Sequence, residues 1–261
     1  MDLRLKDKIA VVTGGSSGIG LATARMLLAE GARVAICGRD PARLAAAAKS
    51  LGASANLLAI ACDVLDAKQV ADMRDRVARQ FNGCDILVNN AGQGRVSTFA
   101  TTTDEQWDEE LRLKFFSVIY PTRAFLPLLE KSATPSIVVV NSLLARQPEP
   151  HMVATAAARA GIQNLIRSMA NEFAPKQIRV NGILLGVVDS GQWSKRYETQ
   201  KQPGQSKEDW FKQEAAKRHI PLGRFGQPDE PASAIVYLAS PLASYITGAS
   251  LEISGGVSRY A

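Results

Sequence analysis

The chain has 261 residues, 46% of them apolar and 21% charged, with a formal net charge of +6. This composition is typical of a globular protein and argues against a disordered or fibrous one. No apolar run reaches the roughly 18 residues that a membrane span needs, and the charged N-terminal segment lacks the apolar core of a signal peptide.

Charge and cysteine usage favour a cytoplasmic protein with neither nucleic-acid nor membrane partner. Lys and Arg are scattered among acidic residues, and no basic run is interleaved with aromatic residues. The three cysteines, Cys37, Cys62 and Cys84, are odd in number and lack CxxC spacing, which argues against a disulfide framework or a metal site. We therefore expect buried free thiols in a reducing compartment.

Short β-branched apolar runs alternate with longer amphipathic segments along the whole chain. The predicted strands are 9–13, 33–37, 57–62, 86–89, 136–141, 179–185 and 249–253. The predicted helices between them are 21–30, 41–51, 67–81, 104–129, 153–173 and 229–239. This alternation predicts an α/β fold, a single doubly wound Rossmann-type domain over residues 1–261, whose parallel sheet carries helices on both faces.

Residues 190–225 interrupt the alternation, because they are polar and rich in Gln, Lys and Trp. We interpret them as a lid-like insertion over the strand ends rather than as a second domain. Gln192, Trp193 and Trp210 would give a substrate an aromatic cover, although such side chains serve equally well in packing or subunit contacts.

A glycine-rich turn, Thr13-Gly14-Gly15-Ser16-Ser17-Gly18-Ile19-Gly20, follows the first predicted strand and opens the first helix. Glycines permit a tight turn and a close backbone approach, and the N–H groups of a helix N-terminus attract a pyrophosphate. The strand–turn–helix context is the one that this motif requires. We expect a dinucleotide to bind through Gly14, Ser16, Ser17, Gly18, Ile19 and Gly20.

The end of the second strand indicates which dinucleotide binds. An Asp or Glu there would bind the adenosine ribose of NAD, but this chain has Gly38 and Arg39. A guanidinium suits a 2′-phosphate, so NADP(H) is the preferred cofactor in this interpretation. Asp40 lies close enough to keep NAD(H) as an alternative, unless its carboxylate only caps the helix that starts at Pro41.

Several further motifs occur in an order that resembles the short-chain dehydrogenase/reductase family over nearly the whole chain. Asp63-Val64 resembles the pair that contacts adenine, and Asn89-Asn90-Ala91-Gly92 resembles the turn beside the cofactor. Residues 221–228, 245–248 and 255–256 resemble the C-terminal signature. The resemblance implies a seven-stranded sheet, a hydride transfer between NADP(H) and a carbonyl or alcohol substrate, and a homotetramer or homodimer.

The catalytic positions depart from that family's pattern. The Ser that positions the substrate oxygen is present as Ser142, but the Tyr expected thirteen residues later is Thr155, and the Lys four residues beyond is Arg159. The Asn of the proton relay, expected seven residues after Trp107, is Lys114. Arg159 keeps the ability to bind the nicotinamide ribose, but Thr155 is a far weaker acid than a phenol.

Lys114 is the candidate for the missing acid. If it is desolvated beside Arg159, its pKa is lowered and it can donate a proton; if its ammonium snorkels to solvent, it takes no part. Tyr197 and Lys201 also have Tyr-x-x-x-Lys spacing, but they lie in the insertion, far from Ser142, so we interpret the match as chance, with contact between Tyr197 and substrate as the alternative. We interpret His151 and His219 as loop or structural residues.

Residues 184–190 resemble the segment that the family places beside the nicotinamide. Leu185 stands where that segment has Pro, and Ser190 where it has Thr. Gly186 is expected to allow the cofactor a close backbone approach, and Val188 to hold its carboxamide through backbone groups.

Two functions from different classes fit these patterns. The first is an NADP-preferring oxidoreductase with an atypical proton donor. The second is a catalytically impaired dinucleotide-binding protein that acts as a redox sensor or as a regulatory or scaffold subunit, because the cofactor motifs are intact while the catalytic positions are changed. A different chemistry on the same fold is a third, weaker alternative.

Overall fold

Seven parallel strands form one sheet in the computed structural model, which describes residues 2–52 and 54–259 but not the side chain of Gln192. The strands are β1 (Ile9–Thr13), β2 (Arg33–Gly38), β3 (Leu57–Ala61), β4 (Ile86–Asn89), β5 (Ser136–Ser142), β6 (Arg179–Leu185) and β7 (Ser250–Ile253). Every predicted strand is present with bounds within one residue. The order β3-β2-β1-β4-β5-β6-β7 confirms the Rossmann-type sheet, and its reversal between β1 and β4 opens a crevice at the strand ends.

Helices cover both faces of this sheet. They are α1 (Gly18–Ala29), α2 (Pro41–Leu51), α3 (Ala67–Phe81), α4 (Asp104–Leu129), α5 (Val153–Phe173), α6 (Gly191–Gln200), α7 (Lys207–Lys217) and α8 (Asp229–Ala239). Side chains of α1, α2 and α8 pack on one face, and those of α3, α4 and α5 on the other. The first helix begins at Gly18, three residues before the predicted start, because the glycine turn leads directly into its first helical turn.

The central strands carry uninterrupted apolar runs because both of their faces are buried. Val11 contributes to the core beneath α3–α5, while its neighbour Val12 contributes to the core beneath α1, α2 and α8. Val139 and Val138 of β5 divide between the two cores in the same way. Successive strand residues point to opposite faces, so a strand between two helix layers needs an uninterrupted apolar run.

Strand register brings the polar strand ends to one edge of the sheet. Val12 of β1 pairs with Val88 of β4, and Asn89 of β4 pairs with Val139 of β5. Ser142, the last residue of β5, pairs with Leu185 of β6. The residues that follow these strands therefore emerge side by side above the crevice.

The polar insertion contains α6 and α7, which pack through aromatic side chains. The ring centroids of Trp193 and Phe225 are 4.9 Å apart, and those of Phe211 and Phe225 are 4.8 Å apart. Trp210 is buried and lies 6.3 Å from Trp193. The described aromatic side chains thus serve packing; the side chain of Gln192, proposed as part of a substrate cover, lies outside the described residues.

Other structural features bear on the class of protein. No helix among the described residues is long and apolar enough to cross a membrane. The same residues contain no cluster of three or more potential metal ligands. The cysteines Cys37, Cys62 and Cys84 are free and buried, which confirms the prediction made for their thiols.

Candidate active site

A cavity of about 440 Å³ lies at the carboxyl ends of the central strands. Most of the predicted site residues line it, although they are scattered over 146 positions of the sequence, from 14 to 159. Those that do are Gly14, Ser16, Ser17, Ile19, Arg39, Asp63, Val64, Asn90, Ala91, Gly92, Ser142, Thr155 and Arg159. Gly18, Gly20, Lys114, Gly186 and Val188 are not among the lining residues.

The glycine turn is shaped by close backbone contacts. Gly14 has a φ of +65°, in the left-handed region that favours glycine. A Cβ on Gly20 would lie 2.4 Å from Nδ2 of Asn90, so this glycine makes room for a neighbouring side chain rather than for a ligand. Asn90 Nδ2 donates to the carbonyls of Thr13 at 2.9 Å and Gly14 at 3.2 Å. The Asn90 side chain therefore braces the turn from the other side of the cavity.

The N-terminus of α1 is open to an anion. Ser17 precedes the helix in extended conformation, and its side chain makes no capping hydrogen bond. The backbone N–H groups of an uncapped first turn, together with the helix dipole, form an anion site. The binding of a pyrophosphate at this helix end stays a prediction.

One end of the cavity, where the sequence predicts the adenosine ribose, is lined by Arg39, Asp40 and Arg43. Asp40 is the N-cap of α2: its carboxylate accepts hydrogen bonds from the backbone amides of Ala42 and Arg43, each at 3.0 Å. These bonds lower the pKa of the Asp40 carboxyl. The guanidinium of Arg39 forms no hydrogen bond or ion pair with the described part of the chain. Arg43 joins Arg39 and Asp40 from the first turn of α2, three residues after the N-cap Asp40.

Another part of the cavity wall, where the family resemblance predicts the adenine, contains Asp63 and Val64 and two of the cysteines, Cys37 and Cys62. The Asp63 carboxylate accepts a hydrogen bond from the backbone amide of Leu65 at 3.0 Å. Cys62 follows β3 beside the neighbouring strand β2, and a hydrogen bond between the two thiols lowers the pKa of Cys62 and raises that of Cys37. The cysteines are therefore part of the cavity wall as well as of the core, which their spacing did not indicate.

Ser142 and Arg159 flank the opposite end of the cavity. The Ser142 hydroxyl donates to the carbonyl of Leu185 at 3.4 Å and accepts from the amide of Leu144 at 3.3 Å. Arg159 Nη1 donates to the carbonyl of Val140 at 2.9 Å, and its buried Nε has no hydrogen-bond partner among the described residues. Burial lowers the pKa of Arg159 to about 10, so the guanidinium stays charged at neutral pH.

Lys114 is buried, so the alternative that its ammonium reaches solvent is wrong. Only 2% of its side chain is exposed, and its ammonium donates to Glu110 Oε1 at 2.5 Å and to the carbonyl of Gln93 at 2.6 Å. Burial, followed by the charge of Arg159, lowers the pKa of Lys114 to about 8. The ammonium lies behind Gln93, whose other atoms line the cavity.

Glu110 is the residue that sequence reasoning missed. It is as buried as Lys114, and its Oε1 also accepts a hydrogen bond from the hydroxyl of Thr155. In the sequence it is the last of three consecutive acidic residues near the start of a helix, a pattern typical of a solvated face. The i,i+4 spacing from Glu110 to Lys114 was the signal that could have found it.

The alternative proton donors lie elsewhere. Tyr197 donates its hydroxyl to the carbonyl of Gln205 at 2.9 Å, and Lys201 pairs with Glu198 at 2.6 Å. His151 is exposed and lies 3.1 Å from Glu149. None of these side chains lines the cavity.

Gly186 and Val188 contact other parts of the chain. A Cβ on Gly186 would lie 2.7 Å from the Cα of Ser254, so the close approach here is to the chain's own backbone. Val188 is buried, and its segment forms a β-bridge with Gly226 at the end of the insertion. Their contact with a cofactor stays a prediction.

Comparisons with known proteins identify the family. The sequence model described as enoyl-(acyl carrier protein) reductase matches residues 14–258. The 3-oxoacyl-(acyl-carrier-protein) reductase FabG of Thermotoga maritima is 32% identical over 256 residues, which cover 98% of this chain and 99% of the relative.

Two solved structures are similar over the whole length. The NADPH-bound short chain oxidoreductase of Pseudomonas aeruginosa PAO1, which contains an atypical catalytic center, is 59% identical, with 98% of this chain and 100% of that chain covered and a TM-score of 0.92. L-sorbose reductase from Gluconobacter frateurii, complexed with NADPH and L-sorbose, is 32% identical over 100% of both chains, with a TM-score of 0.94. The chain belongs to the short-chain dehydrogenase/reductase family of oxidoreductases.

Proposed function

We propose that this protein is an NADP(H)-preferring oxidoreductase that transfers hydride between the cofactor and a carbonyl or alcohol substrate, with Lys114 as the source of the proton. The observation that carries the proposal is the buried Lys114 ammonium, whose pKa is lowered to about 8 and which lies one carboxylate away from Thr155 on the cavity wall. A general acid works best when its pKa lies near the operating pH, and Lys114 meets that condition where Thr155 and Arg159 do not.

The residues of the cavity fit a nicotinamide dinucleotide. The uncapped N-terminus of α1 suits the pyrophosphate, and the unpartnered Nε of Arg159 suits a ribose hydroxyl. When bound, such a cofactor supplies the hydride. NADPH in the Pseudomonas and Gluconobacter structures supports the same assignment here.

A preference for the 2′-phosphate follows from the ribose end. Arg39 offers an unpaired guanidinium, and Arg43, whose guanidinium pairs with Asp40, also lines the cavity wall. Asp40, which would favour NAD(H), has its carboxylate committed to the α2 cap. We propose that both arginines contribute to NADP(H) binding.

The substrate oxygen is proposed to lie between the hydroxyls of Ser142 and Thr155. In the reductive direction the two hydroxyls turn from their present acceptors, the Leu185 carbonyl and the Glu110 carboxylate, to donate to the carbonyl oxygen and stabilise the negative charge that develops on it. A proton then reaches this oxygen, and Lys114 changes from ammonium to amine. Arg159 holds the nicotinamide ribose, and its charge keeps the pKa of Lys114 low.

The insertion at residues 190–225 is proposed as the substrate lid. Ser190, immediately before α6, lines the cavity, and the aromatic packing makes α6 and α7 one body that moves together. We also propose that the protein is a cytoplasmic homotetramer or homodimer. Exposed large apolar side chains such as Phe99 and Tyr245 would be covered in such an assembly, and sedimentation velocity tests it.

The test is NADPH oxidation against a panel of ketones and quinones, with Lys114→Met beside the wild type. Loss of a positioned acid costs about 10²–10⁴ in rate, so we expect kcat to fall by that factor. Lys131→Met, which removes an exposed lysine just after α4, is the matched control and retains wild-type activity. Equal turnover and pH profiles in Lys114→Met and wild type would exclude Lys114 as the acid. NADPH binding without turnover of any substrate would favour the sensor function instead.

A further inference from the structure

We propose that Glu110 is a positioning residue that links Lys114 to the substrate site: it holds the Lys114 ammonium and passes its proton to Thr155. This inference rests on the proposed function, because it explains how an acid that does not line the cavity reaches the reacting oxygen.

The geometry is a continuous chain of hydrogen bonds. Thr155 lines the cavity and donates its hydroxyl to Glu110 Oε1. The same oxygen accepts from Lys114 Nζ at 2.5 Å. Glu110 therefore lies between the acid and the cavity, and removing it leaves no direct hydrogen bond between Lys114 and Thr155.

A purely structural role explains this arrangement poorly. An i,i+4 Glu–Lys pair normally lies on the exposed face of a helix, where it contributes about 0.2–0.5 kcal/mol. Here both side chains are only 2% exposed, and two charges have been removed from water. Apolar side chains of similar volume often stabilise such a position equally well or better. A buried pair that also contacts a cavity-lining hydroxyl is better explained by chemistry.

Among the charged groups around Lys114, Glu110 is the one that favours its protonated form. On α4 itself Lys114 faces Glu110, and from α5 it faces Arg159; Arg95 approaches from the loop after β4, with its own guanidinium paired to the exposed Glu109 at 2.7 Å. Burial and both arginines lower the pKa of Lys114, while Glu110 raises it. Without Glu110, the ammonium would lose its proton at still lower pH.

The proton balance follows the chain of bonds. Once hydride has reached the carbonyl carbon, the Thr155 hydroxyl turns from Glu110 to the substrate oxygen, and its O–H bond breaks as the substrate O–H bond forms. The Lys114 ammonium gives a proton to the Glu110 carboxylate, which passes it to the Thr155 oxygen. The carboxylate and the hydroxyl are restored, the substrate is an alcohol, and Lys114 is an amine that is reprotonated from water. Alcohol oxidation runs the same steps in reverse.

The test is an NMR titration of the Lys114 ammonium in the cofactor-free protein, assigned by comparison with Lys114→Met. In Glu110→Gln we expect the Lys114 pKa to fall by about 1–3 pH units, the range for loss of an adjacent opposite charge. The alkaline limb of the kcat profile for carbonyl reduction should move in the same direction. Asp108→Asn, which neutralises an exposed carboxylate on the same helix, should leave both unchanged. An unaltered Lys114 titration in Glu110→Gln overturns the proposal.

Thr155→Val tests the other link. It removes the hydroxyl while leaving the Glu110–Lys114 pair, so kcat should fall about 10²-fold or more while Lys114 still titrates near its wild-type pH. Wild-type turnover in Thr155→Val would exclude the path through Thr155.

A double-mutant cycle controls for the possibility that a single variant loses activity because it folds poorly. Glu110→Gln combined with Lys114→Met removes both buried charges at once, so it avoids leaving either one unpaired. Residues on one path are not additive, and we expect the double variant to lose no more activity than Lys114→Met alone. If the double variant loses more activity than Lys114→Met, Glu110 and Lys114 do not act on one proton path. Because the titration needs no substrate, it also distinguishes failure of this inference from failure of the proposed reaction.

Discussion

The carboxylate of Asp40 binds the guanidinium of Arg43, with Oδ2 and Nη2 3.1 Å apart, across the first turn of the helix that Asp40 also caps. An acidic side chain at the end of β2 thus satisfies the helix instead of a ribose. The neighbouring Arg39 is left with a guanidinium that has no partner among the described residues, and the proposed preference for NADP(H) depends on this arrangement.

Removing the cationic end of the cavity should change cofactor preference. In the Arg39→Ala, Arg43→Ala double variant we expect the Kd for NADPH to rise about 10- to 100-fold, the cost of losing charged hydrogen bonds to the 2′-phosphate, while the Kd for NADH stays within about twofold. Fluorescence titration with both cofactors measures this. Arg76→Ala on the exposed face of α3 is the control. If both affinities fall equally, the arginines do not recognise the 2′-phosphate.

Restoring the usual catalytic pair should not restore a usual enzyme. Thr155 packs against Glu110, and a lysine at position 159 would place a second flexible cation beside Lys114. We therefore expect Thr155→Tyr combined with Arg159→Lys to gain less than about 10-fold in carbonyl reduction, since the charges behind the pair remain unchanged. A large gain in steady-state turnover would show instead that the native site is only a disarmed version of the common one.

Lys114 should leave a signature in the pH dependence of stability. Its pKa is about 8 in the folded chain against an ordinary value of 10.5, so between these pH values the unfolded chain keeps a proton that the folded chain has released. Lys114 therefore makes the free energy of unfolding rise with pH in this window, and its unfavourable contribution is fully present only below about pH 8.

Urea unfolding at several pH values measures this contribution. The increase from Lys114 should be absent in Lys114→Met and retained in Lys131→Met, whose lysine is exposed. Identical slopes for wild type and Lys114→Met would mean that Lys114 does not titrate differently on folding.

The glycine turn should tolerate no side chain at Gly20. A Cβ there would lie 2.4 Å from both the carbonyl oxygen of Gly14 and Nδ2 of Asn90, so Gly20→Ala must displace the turn. We expect a loss of about 1–3 kcal/mol in unfolding free energy, despite the better helix propensity of Ala, and weaker binding of NADPH and NADH alike. Gly191→Ala, where a Cβ meets nothing within 4 Å, is the control. Unimpaired binding in Gly20→Ala would contradict this account.

The fold was largely predictable because buried parallel strands and amphipathic helices leave strong one-dimensional patterns. Residues such as Val11 and Val12 identify a strand buried on both faces, and Pro41 after Asp40 identifies a helix start. Many of the cavity residues were predictable because they follow strands whose carboxyl ends share one edge, whereas Thr155 and Arg159 of α5 were found from their spacing after Ser142.

The proton path was not predictable to the same degree. Glu110 and the exposed Glu109 are adjacent in the sequence but lie on different faces of α4. Which face is buried depends on the packing of α5 against α4. The fate of Lys114 depends likewise on Arg159, which lies 45 positions away in the chain. Burial of a charge depends on tertiary packing. The local sequence around a buried charge therefore looks like that of a solvated helix face.

The aromatic packing of the insertion also equips the protein with its own optical reporter. Two of its three tryptophans, Trp193 and Trp210, lie in α6 and α7, and the third, Trp107, lies in α4. Replacing Trp107 with Phe would leave only indoles in the proposed lid, so a change in emission on adding NADPH or substrate would arise there. Stopped-flow emission of that variant would time lid closure without an attached dye, and comparison with the rate of hydride transfer would show which step limits turnover.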